Sequence, residues 1–493
     1  MIALPLLLLD PAAADAKGPA ADPALTRKAQ LGQFMTPQRV AERMAASFDR
    51  ARLRQVRLLD AGAGRGALSI AFARHWASKA TAGSSLSIDA YELDPVIVRE
   101  LDAGLTAIRE LPGASSRVLE GDFIAEAAAM IARGERPYTH AILNPPYKKI
   151  SSKSPSRMLL RAAGIETVNL YSAFVALAVK LMQDQGELVA IIPRSFCNGP
   201  YYRSFRRLLL DNTAIVSIHL FKARDKAFSA DKVLQENVII HLKRGAAQGD
   251  VEISTSTDAS FADLHSRRTS FREIVATGDT SLVIHIPVDA NGAALANMPV
   301  YRSSLVELGL QVSTGPIVDF RLKRHLRDHP SPGDAPLLYP VHFSGGRLEW
   351  PRAGLRKANA LALNAETARH VYPHGFYVVV RRLSSKEEAR RIVASLVDPA
   401  QLPGPWIAFE NHLNVFHSGK KPLSEDVARG LTVYLNSKLV DDWIRNFSGH
   451  TQVNATDLRA LPLPNRARLH ALGKWAGTAP TQSQIDAMIA NPQ

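Results

Sequence analysis

The stretch LLDAGAGRGALSI, residues 58–70, decides the fold class of this 493-residue chain. An apolar run ends at Asp60, three glycines follow at alternate positions, and a helical pattern begins at once. A glycine loop between a strand and a helix is typical of open α/β sheets, in which ligands bind beyond the carboxyl ends of the strands. Its N–H groups and the positive helix end suit a carboxylate or a phosphate. Taken alone, the motif also fits a nicotinamide dinucleotide site.

Around this stretch, short apolar runs alternate with helical stretches, which predicts βα units and a mostly parallel sheet. Seven strands are expected, the last two antiparallel to each other, at residues 56–61, 86–92, 117–120, 141–144, 188–193, 215–220 and 238–242. Apolar residues at i, i+3 and i+4 predict a helix over 170–183. After residue 245 turn residues multiply and the alternation stops. We therefore expect four parts, namely a leader at 1–24, an α/β domain at 25–245, an α+β domain at 246–470 and a tail at 471–493.

The net charge and the cysteine content of the chain indicate which kinds of partner it can bind. The net charge of +14 and the sequence pI of about 9.8 indicate a polyanion binder. A single cysteine, Cys197, excludes an intrachain disulfide and a multi-cysteine zinc site, so we expect a protein of the reducing cytoplasm with no metal. The apolar amino terminus lacks a basic region and is too short to span a bilayer, and we expect no membrane partner.

Acidic residues follow the second and third predicted strands. Glu92 stands where a ribose diol would be held, and Asp122 with Phe123 suits the amino group and ring face of an adenine. Each carboxylate alone is more often a solvated loop residue. Three consecutive strand ends face one crevice in such a sheet, so together they indicate a ligand that contains a nucleoside.

The tetrapeptide Asn144-Pro145-Pro146-Tyr147 follows the fourth apolar run. The side-chain oxygen of Asn144 and the carbonyl of Pro145, a residue with no N–H of its own, are two acceptors for one exocyclic amino group. Hydrogen bonds to both amino hydrogens bring the nitrogen lone pair back from the ring, and Tyr147 offers a ring for stacking. The tetrapeptide therefore indicates methylation of an amino group. The alternative is a Pro-Pro turn that closes an ordinary strand.

The order of these motifs resembles the gamma-class DNA amino-methyltransferases that use S-adenosyl-L-methionine, especially the TaqI-like adenine-N6 enzymes of restriction–modification systems. This resemblance implies an α/β fold, a Rossmann-like seven-stranded methyltransferase sheet with a carboxy-terminal α+β DNA-recognition domain. It implies that the segment LGQFMTP, residues 31–37, closes over the methionine part of the cofactor. The alternative for Thr36 and Pro37 is the start of a helix.

The resemblance also implies the site residues. The cofactor contacts would be Phe34, Thr36, Pro37, Asp60, Ala61, Gly62, Glu92, Asp122, Phe123 and Asn144. The catalytic residues would be Asn144, Pro145, Pro146 and Tyr147. One departure concerns the hairpin strand at 236–243, where the family's base-stacking aromatic is replaced by His241 and Leu242, with Phe228 upstream.

The implied partner is double-stranded DNA with its target adenine flipped out, and any restriction endonuclease would be a separate protein. The candidate phosphate contacts are Arg321, Lys323, Arg324, His325, Arg381 and Arg382, and the candidate base readers are Arg347, Arg352 and Asn454. Three alternatives stay open. They are cytosine-N4 methylation, glutamine-N5 methylation of a protein, and a DNA-recognising subunit with degenerate chemistry.

Overall fold

The computed structural model describes residues 36–49, 53–222, 236–275, 277, 279–286, 301, 303–354, 356–384, 388–447, 452–476 and 480–490. Within these residues the chain forms two compact units. The first runs to Ala163 and includes Val168–Met182, and the second comprises Gly164–Thr167 and the chain from Gln183 onward. The predicted leader at 1–24 lies outside the described residues.

The first unit contains parallel strands with helices between them. Its strands are β1 (Gln55–Ala61), β2 (Ser85–Glu92), β3 (Ala114–Glu120) and β4 (Tyr138–Leu143). Its helices are α1 (Gln38–Ala45), α2 (Ala67–Ala77), α3 (Pro95–Arg109), α4 (Phe123–Ala132), α5 (Pro155–Ala162) and α6 (Leu170–Leu181). The pairing order is β3-β2-β1-β4. The second half of β1 is buried without interruption, as expected for a central parallel strand.

A glycine is required where β1 passes into α2. Gly66 has a φ of +82°, which other residues rarely adopt. A Cβ atom there would lie 2.9 Å from Cδ1 of Leu101 on α3. The loop is therefore shaped by both the backbone conformation and the close approach of α3.

The sheet continues with β5 (Met182–Pro193), β6 (Thr213–Phe221), β7 (Asn237–Arg244), β8 (Val251–Ser256) and β9 (His265–Thr269). Its order among the described residues is β3-β2-β1-β4-β5-β7-β6-β8-β9. The seven predicted strands are confirmed, and so is the antiparallel pairing of β6 with β7. The strand count was too low, because β8 pairs parallel with β6 and β9 pairs with β8. The boundary predicted near residue 245 therefore falls inside this sheet.

The rest of the second unit mixes small sheets with helices, which confirms the predicted α+β character. Its strands are β10 (Gln311–Thr314), β11 (Leu326–Arg327), β12 (Ala335–Leu338), β13 (Phe343–Ser344), β14 (Arg347–Leu348), β15 (Ala360–Leu361), β16 (Val371–Pro373), β17 (Tyr377–Arg381), β18 (Ala394–Val397), β19 (Trp406–Phe409) and β20 (Leu413–His417). They form sheets of order β10-β20-β17-β18, β11-β15-β12-β19-β16 and β13-β14 within the described chain.

The helices of the second unit are α7 (Arg203–Asn212), α8 (Phe271–Ile274), α9 (Asp319–Leu322), α10 (Glu425–Leu435), α11 (Lys438–Phe447), α12 (Ala455–Arg459), α13 (Arg466–Ala476) and α14 (Gln482–Ala490). The backbones of α10 and α13 touch, since a Cβ atom on Gly430 would lie 1.9 Å from the carbonyl oxygen of Leu469. Gly473 meets the carbonyl oxygen of Asp426 at the same distance. Both positions must therefore be glycine.

Candidate active site

Asp60 lies at the end of β1 and is fully buried. The Ser69 hydroxyl donates to its Oδ2 atom at 2.7 Å, whereas Oδ1 is buried with no hydrogen-bond partner among the described residues. Burial, with a smaller contribution from the nearby charge of Glu92, raises the pKa of this carboxyl to about 7, although the hydrogen bonds from Ser69 oppose the shift. The Oδ1 atom of Asp60 is thus able to accept a hydrogen bond from a donor on a bound ligand.

The glycine loop is held by its own chain. The N–H groups of Gly62 and Ala63 both donate to the carbonyl oxygen of Tyr91 at 2.9 Å, and the N–H of Gly64 donates to Glu92 at 3.0 Å. The sequence predicts that these N–H groups donate to an anionic ligand, but in the structure they donate to Tyr91 and Glu92. They therefore close the loop against the end of β2. This tight turn needs left-handed backbone at Gly62 and Gly64, where φ is +76° and +57°.

Glu92 is the centre of this closure and is 3% exposed. Besides the Gly64 bond, its other carboxylate oxygen accepts the N–H groups of Leu93 and Asp94, both at 2.9 Å. The side chain therefore ties the glycine loop to the turn after β2. A substitution of Glu92 would disturb the loop as well as any contact with a ribose.

Asp122 and Phe123 follow β3 and have different surroundings. Asp122 is exposed, and its Oδ1 atom caps α4 by accepting the N–H of Ile124 at 2.9 Å. Its Oδ2 atom has no partner among the described residues. Phe123 is 2% exposed and packs between Tyr91 and Phe174, each at a ring-centroid distance of 5.1 Å. Phe123 thus belongs to an aromatic cluster that supports the site.

Asn144 follows β4 and is bound at both ends of its amide. Its Nδ2 atom donates to the Thr36 hydroxyl at 2.9 Å, and the Tyr147 hydroxyl donates to its Oδ1 atom at 3.3 Å. Thr36, expected to contact the cofactor, lies against this tetrapeptide. Helix α1 begins at Gln38, with Pro37 as its N-cap residue and no side-chain cap. Phe34 lies outside the described residues.

The chain after the tetrapeptide is anchored to the start of α6. The N–H of Ile150 donates to Val168, and the N–H of Leu170 donates to Lys148, both at 2.8 Å. Tyr171 then meets the Tyr147 ring edge-on at a centroid distance of 6.2 Å. Burial raises the pKa of the Tyr147 phenol well above its usual range, so this hydroxyl stays neutral at physiological pH. No local pattern in the sequence signals this pairing.

Several strand ends of the first unit therefore converge. A Cβ atom on Gly62 would lie 3.6 Å from the Phe174 ring and 3.7 Å from Pro146, which brings the end of β1 beside the tetrapeptide. Pro145 is buried and Pro146 is partly buried. The predicted crevice at the carboxyl ends of these strands is thus consistent with the contacts between their loops.

His241, which stands where the family has its base-stacking aromatic, is buried inside the sheet. His241 lies on β7, is 5% exposed, and its Nε2 atom is 3.3 Å from the carboxylate of Glu187 on β5. It belongs to the sheet core of the second unit. Phe228 lies outside the described residues.

The candidate DNA contacts differ in how far they are already paired. Arg324 and His325 share the carboxylate of Glu366, and Arg381 pairs with Glu388. Other candidates bind within their own unit, where Arg352 pairs with Glu349 at 3.4 Å and Arg382 donates to the Asn454 side chain at 3.5 Å. Of the candidate contacts, three exposed cations have no ion-pair partner among the described residues, namely Arg321, Lys323 and Arg347.

No helix in the described ranges has the length and apolar character needed to cross a bilayer. No group of three or more His, Cys, Asp or Glu side chains in them is arranged to hold a metal ion.

Comparison with known proteins gives the family. The Eco57I restriction-modification methylase model matches residues 120–228. The chain is 47% identical over 484 residues to the Type II methyltransferase M.BsuBI of Bacillus subtilis, covering 95% of this chain and 96% of that protein. It is 42% identical over 474 residues to the Type II methyltransferase M.PstI of Providencia stuartii, covering 94% and 93%.

Among solved structures, the DrdV–DNA complex superposes with a TM-score of 0.53 at 12% identity, over 92% of this chain and 57% of that one. At that identity the similarity shows the fold alone. The sequence relationships go further, because they extend over nearly the whole chain at more than 40% identity. The chain therefore belongs to the Type II methyltransferases of restriction–modification systems.

Proposed function

We propose that this protein transfers the methyl group of S-adenosyl-L-methionine to the N6 amino group of an adenine that is flipped out of a DNA duplex. The observation that carries the proposal is the position of Asn144 at the end of β4, with its amide bound between Thr36 and Tyr147. The glycine loop after β1 reaches the same tetrapeptide. The family relationship supports DNA as the substrate.

The residues present fit this cofactor. Asp60 holds a buried carboxylate oxygen without a partner among the described residues, and Asp122 presents an oxygen that its helix cap leaves over. We assign to the cofactor the residues Thr36, Pro37, Asp60, Ala61, Gly62, Glu92, Asp122 and Phe123. When bound, the sulfonium supplies an electrophilic methyl group.

The protein's own part in the reaction is to bind and orient. Asn144 Oδ1 and the Pro145 carbonyl accept hydrogen bonds from the adenine amino group, which returns the lone pair to nitrogen for in-line attack. Tyr147 stacks on the extruded base, whose amino group cannot be reached inside the duplex. The N–C bond would form as the bond between sulfur and the methyl group breaks, and the amino proton, acidic once the methyl group has arrived, would leave to solvent without a strong general base. Positioning and electrostatics therefore supply much of the rate.

The choice of adenine rests on the motif order, with Asn as the first residue of the tetrapeptide. Cytosine-N4 methylation is the nearest alternative, since the same acceptors fit that amine. Methylation of a protein glutamine is disfavoured by the long carboxy-terminal half and by the net charge of +14, which suit DNA. A cognate restriction endonuclease would be a separate partner.

The product decides the proposal. DNA from a methylation-free host that expresses this protein should contain N6-methyladenine in one sequence context. Mass spectrometry of digested DNA identifies the base, and single-molecule sequencing gives its context. N4-methylcytosine as the sole modified base would overturn the choice of adenine, and DNA without any modified base would overturn methyl transfer to DNA.

The cofactor site can be tested without DNA through Asp122. In Asp122→Asn the side-chain oxygen can still cap α4, because Asn is as good an N-cap as Asp. The outward group becomes an N–H donor, which would oppose the adenine amino group of the cofactor. Calorimetry should show S-adenosyl-L-methionine affinity reduced about tenfold or more, with an unchanged melting temperature. Asp122→Ala should lose both the affinity and the cap. Asp122→Asn with wild-type affinity would remove Asp122 from the site.

A further inference from the structure

The segment before α1 reaches the reaction centre through one hydrogen bond. Thr36 precedes Asn144 by 108 residues, yet its hydroxyl accepts the Asn144 Nδ2–H at 2.9 Å. The hydroxyl is not used to cap α1, whose N-cap residue is Pro37. Thr36, two residues before α1, thus forms a hydrogen bond with the side chain that follows β4.

The position of this hydroxyl is set by packing. Val40, Ala41, Met44 and Ala45 form the buried face of α1. Beyond the helix, the Phe48 ring lies edge-on to His140 on β4 at a centroid distance of 5.4 Å, and to Phe72 at 5.1 Å. The segment from 36 to 48 therefore packs against the strand that ends just before Asn144. This packing holds the Thr36 hydroxyl close to the Asn144 amide.

The orientation of the Asn144 amide matters for the proposed reaction. Its oxygen and nitrogen are similar in size, but a rotation that exchanges them would point N–H donors at the hydrogens of the substrate amine. The bond to Thr36 engages the nitrogen, and the Tyr147 hydroxyl marks the oxygen at the other end. In this arrangement the nitrogen is occupied by Thr36, and the oxygen, which has two lone pairs, can accept from the substrate as well as from Tyr147.

We propose that Thr36 is a positioning residue for methyl transfer, in addition to any contact with the cofactor. It holds the Asn144 amide so that Oδ1 faces the target amine. The inference rests on the proposed function, in which Asn144 grips that amine. Removal of the hydroxyl takes this acceptor from the Nδ2–H in a site where Asn144 is only 9% exposed, so the amide is held less firmly in this orientation.

The test compares Thr36→Val, which keeps the shape without the hydroxyl, with Thr36→Ser, which keeps the hydroxyl. At saturating S-adenosyl-L-methionine, the single-turnover rate of DNA methylation should fall about tenfold in Thr36→Val, and Thr36→Ser should stay within about twofold of the wild type. Dissociation constants for S-adenosylhomocysteine, measured by calorimetry, separate cofactor binding from chemistry. Gln38→Ala is the matched control, because its exposed side chain bonds only to Glu42, at 2.8 Å, among the described contacts.

Three results would overturn the proposal. They are a wild-type rate in Thr36→Val, a deficit that saturating cofactor abolishes, and a Thr36→Ser rate as low as that of Thr36→Val. Thr36→Ala provides the same comparison should Thr36→Val melt at a lower temperature. A wild-type protein that methylates no DNA would instead overturn the proposed function, so the two failures are distinguishable.

Discussion

Asn144→Ala is expected to reduce the single-turnover rate of DNA methylation by roughly 10²–10³-fold, the size of effect seen when a preorganised transition-state hydrogen bond is removed. The Asn144 oxygen acts on the reacting amine, so cofactor affinity and DNA affinity should change little. Rapid-quench kinetics with saturating cofactor measure the rate, and calorimetry with S-adenosylhomocysteine measures the affinity.

Tyr147 supplies the matched comparison. Tyr147→Phe keeps the ring beside Tyr171 and loses the 3.3 Å hydrogen bond to Asn144, so its rate should fall by a few-fold at most. Tyr147→Ala removes the stacking surface and should be severe. Near wild-type turnover in Asn144→Ala would show that the amine is activated elsewhere, and equal damage from Tyr147→Phe and Tyr147→Ala would show that the hydroxyl matters more than the ring.

DNA affinity is expected to fall by roughly three to five decades between about 50 and 200 mM salt, if about six to ten phosphates are neutralised. Lys323→Ala should weaken binding to all sequences alike and reduce the salt slope by about 1, because this exposed cation has no ion-pair partner among the described residues. Arg324→Ala should have a smaller effect, since its guanidinium already pairs with Glu366. Fluorescence anisotropy at several salt concentrations gives both slopes.

A salt slope that Lys323→Ala leaves unchanged would remove this residue from the phosphate contacts. A loss confined to one DNA sequence would assign it to base reading instead. An affinity that hardly depends on salt would contradict the electrostatic account of binding as a whole.

Local sequence patterns predict which residues lie at the strand ends, because the end of an apolar run can be recognised without knowing the contacts of distant parts of the chain. Glu92, Asp122 and the tetrapeptide are all at the carboxyl ends of strands, as expected. What these side chains touch was harder to foresee. Glu92 accepts N–H groups from the glycine loop, and the bond between Thr36 and Asn144 joins residues far apart in sequence. Such contacts depend on tertiary packing, which periodicity does not encode.

Strands β8 and β9 are absent from the seven predicted strands for a different reason. The sequence VEISTS at 251–256 follows a turn-rich stretch, and that change of composition indicates the start of a new domain. In the structure, five of its six residues are buried, because β8 lies between β6 and β9. Polar strand residues such as Ser254 gain partners inside the sheet, as in its 2.9 Å contact with His219 on β6. A composition shift thus marks a change in surroundings here and does not mark the end of the sheet.

The added strands determine where this protein can be recombined with its relatives. A chimera joined near residue 245 would take β8 and β9 from a different parent than β6, so the side chains between them would no longer match. The segment after β9 also returns to the residues that follow β5, since the N–H of Ile284 donates to the carbonyl oxygen of Cys197 at 2.8 Å. A crossover intended to exchange DNA specificity should therefore be placed beyond Ile286, so that the whole sheet and the segment bound to Cys197 come from one parent.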